Sequence, residues 1–143
     1  MVSADEGRLL YVQPEGWSRA SGLSYGVVGE ARRQLFIAGQ IGGDTGASAP
    51  AHDAGFASQF IKALENVVTV VESAGGTASD IAALRIFVTS IDSFKTAQPV
   101  IAEAWRSLLG YHFPAMTMVQ VSALYEATAL VEIEGTALLK MEG

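Results

Sequence analysis

The apolar residues of this chain change their period several times, and each change marks an element. Phe56, Phe60, Ile61, Leu64, Val67, Val68 and Val71 recur at steps of three and four before Gly75-Gly76, which is the spacing of one buried stripe on an amphipathic helix. Asp53 is the residue expected to cap it. A second stripe, Phe94, Ala97, Val100, Ile101, Ala104, Trp105 and Leu108, runs from Asp92-Ser93, the expected cap, to Gly110. Between the two helices, Ala83-Leu84-Arg85-Ile86-Phe87-Val88 is rich in β-formers and predicts a strand. Three strands precede the first helix: Arg8 to Val12, Tyr25 to Val28 and Gln34 to Ala38. The polar turn Gly29-Glu30-Ala31-Arg32 predicts that the second and third form a hairpin. Met116 to Val121 and Leu130 to Leu139 close the chain as two more strands.

The predicted order is β-β-β-α-β-α-β-β, an α+β arrangement in which two helices cover one face of a sheet. The other face should be polar if it met water. Leu35-Phe36-Ile37-Ala38, Ile86-Phe87-Val88 and Thr136-Ala137-Leu138-Leu139 are instead apolar or small in both parities, so the second face is expected to be buried against other subunits.

Composition agrees with a single domain over residues 1–143: half of the residues are hydrophobic and 17% are charged, which is apolar for a chain of this size. No apolar run approaches the roughly 18 residues of a membrane span. The start, Met1-Val2-Ser3-Ala4-Asp5-Glu6, has neither the basic nor the apolar region of a signal peptide, and the expected address is the cytoplasm. With no cysteine, disulfides, thiolate catalysis and Cys-ligated zinc are all excluded. A net charge of −6 argues against a nucleic-acid partner, which needs clustered Lys and Arg. His52 and His112 have no spaced ligand cluster, so neither a metal nor a cofactor is expected. Gly42-Gly43-Asp44-Thr45-Gly46 lacks the lysine of a phosphate-binding loop and reads as a plain turn.

Four short motifs then fall in register. Ala38-Gly39-Gln40-Ile41, Phe87-Val88-Thr89 before Asp92-Ser93-Phe94, Phe113-Pro114-Ala115, and Leu130-Val131-Glu132-Ile133-Glu134 resemble, in order and spacing, the Rid (reactive intermediate deaminase, YjgF-like) superfamily, also known as endoribonuclease L-PSP proteins. The resemblance spans residues 24–139, with residues 1–23 forming a leader and the first strand. It implies a chorismate-mutase-like fold with a six-stranded mixed sheet, and a homotrimer with small-molecule clefts between neighbouring subunits. In the catalytic branch these clefts hydrolyse enamines or imines to a carbonyl compound and ammonia.

The resemblance also implies roles for particular residues. Glu132 matches the glutamate that places the attacking water. Gly39 matches the glycine whose backbone lines the cleft, and Tyr25 a cleft tyrosine. Gln98 stands where the family has a cleft asparagine and Ala38 where it usually has serine. Met116 and Met118 read, from their chemistry alone, as wall or core residues rather than reactive ones. Met116 stands where an arginine directly after Pro-Ala pairs with the substrate carboxylate.

That last departure carries the most chemistry. A bidentate arginine–carboxylate contact contributes about 1.5–3 kcal/mol, and a carboxylate buried without it costs several kcal/mol more. The expected ligand is therefore not 2-aminoacrylate or another 2-imino acid but a small reactive nitrogen compound, neutral or cationic, without a carboxylate at that point. Two functions remain open from sequence: hydrolytic deamination assisted by Glu132, or noncatalytic binding of a small metabolite. Arg85 could reach the cleft in place of the missing arginine, pair with Glu132 or Glu134, or point into the central channel of the trimer that the resemblance implies. Glu132 and Glu134 share a strand face and could also form a plain acidic patch.

Overall fold

The computed structural model of the chain describes residues 9–19, 21–44 and 48–142. Its elements are β1 (Leu9–Val12), β2 (Gly26–Gly29), β3 (Arg32–Ile41), α1 (Phe56–Ser73), a single 3₁₀ turn (Ala78–Asp80), β4 (Ile81–Val88), α2 (Ile91–Leu109), β5 (Ala115–Gln120) and β6 (Val131–Lys140). The α+β order stands, but the six strands do not form one sheet. Four make a mixed sheet in the order β3-β6-β4-β5, and β1 and β2 make a separate antiparallel ribbon. Within the larger sheet β4 and β5 run parallel, while β6 is antiparallel to both of its neighbours.

The hairpin expected between β2 and β3 does not form. β2 pairs with β1, from Leu9 opposite Gly29 to Val12 opposite Gly26, and β3 pairs with β6. Two local features turn the chain out of the hairpin path. Ala31 is left-handed, with φ of 49°, and the next residue, Arg32, is pulled to the far end of β6. There its Nη1 donates to Asp80 at 3.0 Å and to the Leu138 carbonyl at 2.8 Å, with both ionic side chains buried. Removing either partner would strand a buried charge, at a cost of about 3–5 kcal/mol. The ribbon stays close to the sheet: a Cβ on Gly29 would come within 2.5 Å of Leu138, and Ser24 donates its N–H to the Pro114 carbonyl at 3.1 Å.

Alternation along the strands separates the faces. Ile37, Leu84, Ile86, Val88, Val131, Ile133, Ala137 and Leu139 are buried with Phe60, Leu64, Val67 and Val71 of α1 in one core. The other parity carries Phe36, Phe87, Leu138, Arg85, Glu132 and Glu134, all at least partly accessible in the single chain. Phe36 is 74% exposed.

Both helix starts differ from expectation. α1 begins at Phe56 with Gly55 in the cap position and no side-chain cap, so Asp53 does not serve. Tertiary contacts hold this end instead. Buried Gln59 donates to the carbonyls of Ala54 and Thr128 and accepts from the Leu130 N–H, tying the first helical turn to the start of β6. For α2 the cap is Ser90, whose hydroxyl accepts from Ser93 N at 3.0 Å. Asp92 lies in the first turn, where its charge favours the helix dipole.

The start of the glycine-rich loop is packed rather than open. A Cβ on Gly42 would lie 2.5 Å from the Cα of Gln59, and one on Gly43 would collide with the Ser48 carbonyl. Asn66 donates to the carbonyls of Ile41 and Gly43. Among the described residues no helix is long and apolar enough to cross a membrane.

Candidate functional site

Strand β5 is an edge strand, and its register decides what it offers. Leu84 lies opposite Met116 and Ile86 opposite Met118. Because Leu84 and Ile86 point into the core, both methionines point to the helix side as well. α2 does not close fully over them. A cavity of about 490 Å3 remains, lined by Met116 and Met118, by Phe94, Gln98, Ala102, Trp105 and Arg106 of α2, and by Phe113. Ser21, Gly22 and Leu23 close it from the segment before β2. This volume suits a small ligand, and the mixture of aromatic wall and few polar groups is typical of such sites.

Gln98 has no hydrogen-bond partner among the described residues, so its amide is free to bind a ligand. Trp105 is fixed, its Nε1 donating to the His112 carbonyl at 3.4 Å. Ser24 anchors the closing segment by donating its hydroxyl to the Phe113 carbonyl at 2.6 Å.

The remaining expected residues lie elsewhere. Glu132 is on the opposite face of the sheet, in register with Phe87 of β4 and Ile41 of β3. β3 is irregular between Ile37 and Gln40, so Ala38 and Gly39 bulge past β6. Gly39 thereby makes room for Glu132, since a Cβ there would come within 2.2 Å of its Oε1. The Glu132 carboxylate has no hydrogen bond or ion pair with another described residue. Thus Gln98, Met116 and Met118 meet at the cavity, and Ala38, Gly39 and Glu132 meet on the other side. A single site containing both groups would need a second copy of the chain. Tyr25 joins neither group: its hydroxyl donates to the Ser18 carbonyl at 2.7 Å, and its ring stands edge-on to Trp17 at 4.9 Å.

Arg85 is accounted for by neighbours on the Glu132 face. Its Nε donates to Glu134 at 2.8 Å and its Nη2 approaches the Thr136 hydroxyl at 3.5 Å. It does not enter the Met116 cavity, so within one chain it does not replace the missing arginine. Glu134 is the ion-paired acid of the two, and Glu132 the free one.

His112 is buried and structural. Its Nε2 lies 2.6 Å from the Ile81 carbonyl, which can only accept, so Nε2 carries the proton. Nδ1 then accepts from the Tyr11 hydroxyl, which pins β1 to the start of β4. Burial lowers the pKa of His112, against smaller opposing effects of the Ile81 carbonyl and Asp80. Burial also raises that of Tyr11. Among the described residues no group of His, Cys, Asp or Glu could hold a metal ion.

Sequence reasoning placed Phe94 and Trp105 in the core stripe and passed over Arg106. The signal was available, since Gln98, Ala102 and Arg106 recur every four residues and share a helix face.

Two helices thus pack on one face of a mixed sheet, with a cavity of small-ligand size beside the edge strand. Residues 19–139 match the family model described as Endoribonuclease L-PSP, and the chain belongs to that family. It is similar to the Rid-family protein YyfB of Yersinia pestis, with a TM-score of 0.75 and 28% identity over 92% of this chain and 98% of the other. The YjgF protein of Escherichia coli is also similar, with a TM-score of 0.63 and 31% identity over 80% and 86% of the two chains. A RutC family protein of Haemophilus influenzae is 32% identical over 83 residues, which span 58% of this chain and 63% of that protein.

Proposed function

We propose that the chain acts on small reactive nitrogen metabolites other than 2-aminoacrylate, in clefts between neighbouring copies of a cytoplasmic homotrimer. The observation that carries this reading is the cavity itself: where the family resemblance implies an arginine, Met116 presents an apolar wall beside the free amide of Gln98. The chemistry that fits is hydrolysis of an enamine or imine. An enamine first tautomerises to its imine, and water, oriented by the unpartnered Glu132 carboxylate of a neighbouring copy, then adds to the C=N carbon. Collapse of the resulting carbinolamine expels ammonia and leaves a carbonyl compound.

A second reading has an observation of its own. Among the described residues of one chain no carboxylate lines the cavity, which suits a noncatalytic protein that holds a small metabolite. A metabolite screen by thermal shift, followed by ammonia measurement on every stabilising compound, separates the two. Ammonia release that disappears in Glu132→Gln supports hydrolysis. Stabilisation without ammonia from any hit establishes the binding reading.

A further inference from the structure

Gln98, Ala102 and Arg106 follow one another at four-residue steps along α2, on a face about 12 Å long at a rise of 1.5 Å per residue. All three line the cavity, and among the described residues Arg106 is the one charged side chain in its lining. Arg106 has no carboxylate partner among the described residues. Its guanidinium carbon sits 4.6 Å from the centroid of the Tyr111 ring, and its Nη1 donates to the Tyr111 hydroxyl at 3.3 Å. Such a stack holds the planar cation in place without neutralising it. Part of the rotamer entropy that a mobile arginine would lose on binding is therefore already lost.

We propose that Arg106 is the anion anchor of this cavity and that its ligand is an amphiphilic monocarboxylate. The ligand lays an apolar body against Trp105, Met116 and Met118 and places its carboxylate at the Arg106 end. This rests on the cavity being the ligand site, as proposed above. The charge of the lining sets the ligand class. Arg106 lies on the last turn of α2, and the other described residues of the lining are uncharged and largely apolar, so the ligand that fits carries a single carboxylate on an apolar body. The exposed carbonyls of a helix C-terminus carry partial negative charge, and Arg106 is itself exposed. Both reduce its attraction for an anion, so the preference is moderate rather than large.

The test compares 3-phenylpropionate with its neutral amide, 3-phenylpropanamide, by isothermal titration calorimetry on the full chain and on Arg106→Gln and Arg106→Lys. The acid is expected to bind about 10-fold more tightly than the amide, or ~1.4 kcal/mol. The ratio should fall to near one in Arg106→Gln and be partly kept in Arg106→Lys. Arg106 is exposed, so both variants fold, which circular dichroism verifies. An equal affinity for acid and amide, or a preference that survives Arg106→Gln, overturns the anchor and leaves the cavity reading standing. If neither compound binds at millimolar concentration, the anchor and the cavity reading fall together.

Discussion

The carboxylate of Glu132 rests against the bare Cα of Gly39, where an added methyl carbon would lie 2.2 Å from Oε1. The clashing atoms belong to the flexible end of a side chain, so Gly39→Ala is expected to fold with a stability loss below about 1 kcal/mol, within the ordinary range for an accessible site. It should nevertheless displace the carboxylate and remove turnover or ligand-induced stabilisation. Thermal melts with and without a screened ligand measure both effects. A melt unchanged in either condition would mean that Glu132 has no part in the site.

The two acids of β6 should behave differently. Glu132→Gln is expected to keep the fold and abolish ammonia release. Glu134→Gln breaks the ion pair with Arg85, whose side chains are 42% and 38% exposed, and such a pair contributes about 0.2–1 kcal/mol. It should lower the melting temperature slightly and leave turnover intact. Equal loss of activity in both variants would point to a shared acidic patch.

Met116→Arg tests the cavity from the other side. Hydrolysis of 2-aminoacrylate, supplied by a coupled serine dehydratase, should be weak in the natural chain. It should rise about 30- to 1,000-fold in the variant, as expected for a gained transition-state contact of ~2–4 kcal/mol. A natural chain that already matches an arginine-bearing relative would show that another cation fills this role.

Phe36, exposed on the face opposite the helices, makes assembly testable. Light scattering at micromolar concentration should give three times the 15.0 kDa chain mass. Phe36→Glu should shift the population to smaller species, because it places a charge in the proposed contact. A natural chain that scatters as a monomer would remove the basis for clefts between copies.

His112 should make stability depend on pH. Its pKa is lowered in the fold chiefly by burial, so near and below the usual value of 6.5 the unfolded chain binds the additional proton. The contribution is present above that value and is lost as pH falls towards the lowered one. Melting temperature should therefore decline from pH 7 to pH 5.5, and the decline should be shallower in His112→Gln. An identical slope in both proteins would assign the effect to other groups.

Much of the fold was legible in the local sequence. The three- and four-residue steps of Phe60, Leu64, Val67 and Val71 fix a helix, and the alternation of Leu84, Ile86 and Val88 fixes a strand, because burial on one side imposes its own period. The Met116 and Gln98 positions were also legible, since both sit on regular elements at fixed distances from recognisable motifs. The caps were not. Asp53 is a sound local choice for a helix start, but Gln59 reaches Thr128 and Leu130, roughly 70 residues away, and decides where α1 begins.

What the sequence by itself determined was therefore the kind and order of the elements, the family, and the presence of Met116 directly after Pro114-Ala115. Tertiary structure decided that β2 turns back to β1 while Arg32 draws β3 to β6, and that Arg85 pairs with Glu134. It also decided that Glu132 and Met116 stand on opposite faces of one sheet. Periodicity is a property of neighbours in the chain and can be read from it. Which strand meets which, and whether a charge finds its partner, depends on residues brought together by folding from distant positions, and no local pattern encodes that choice.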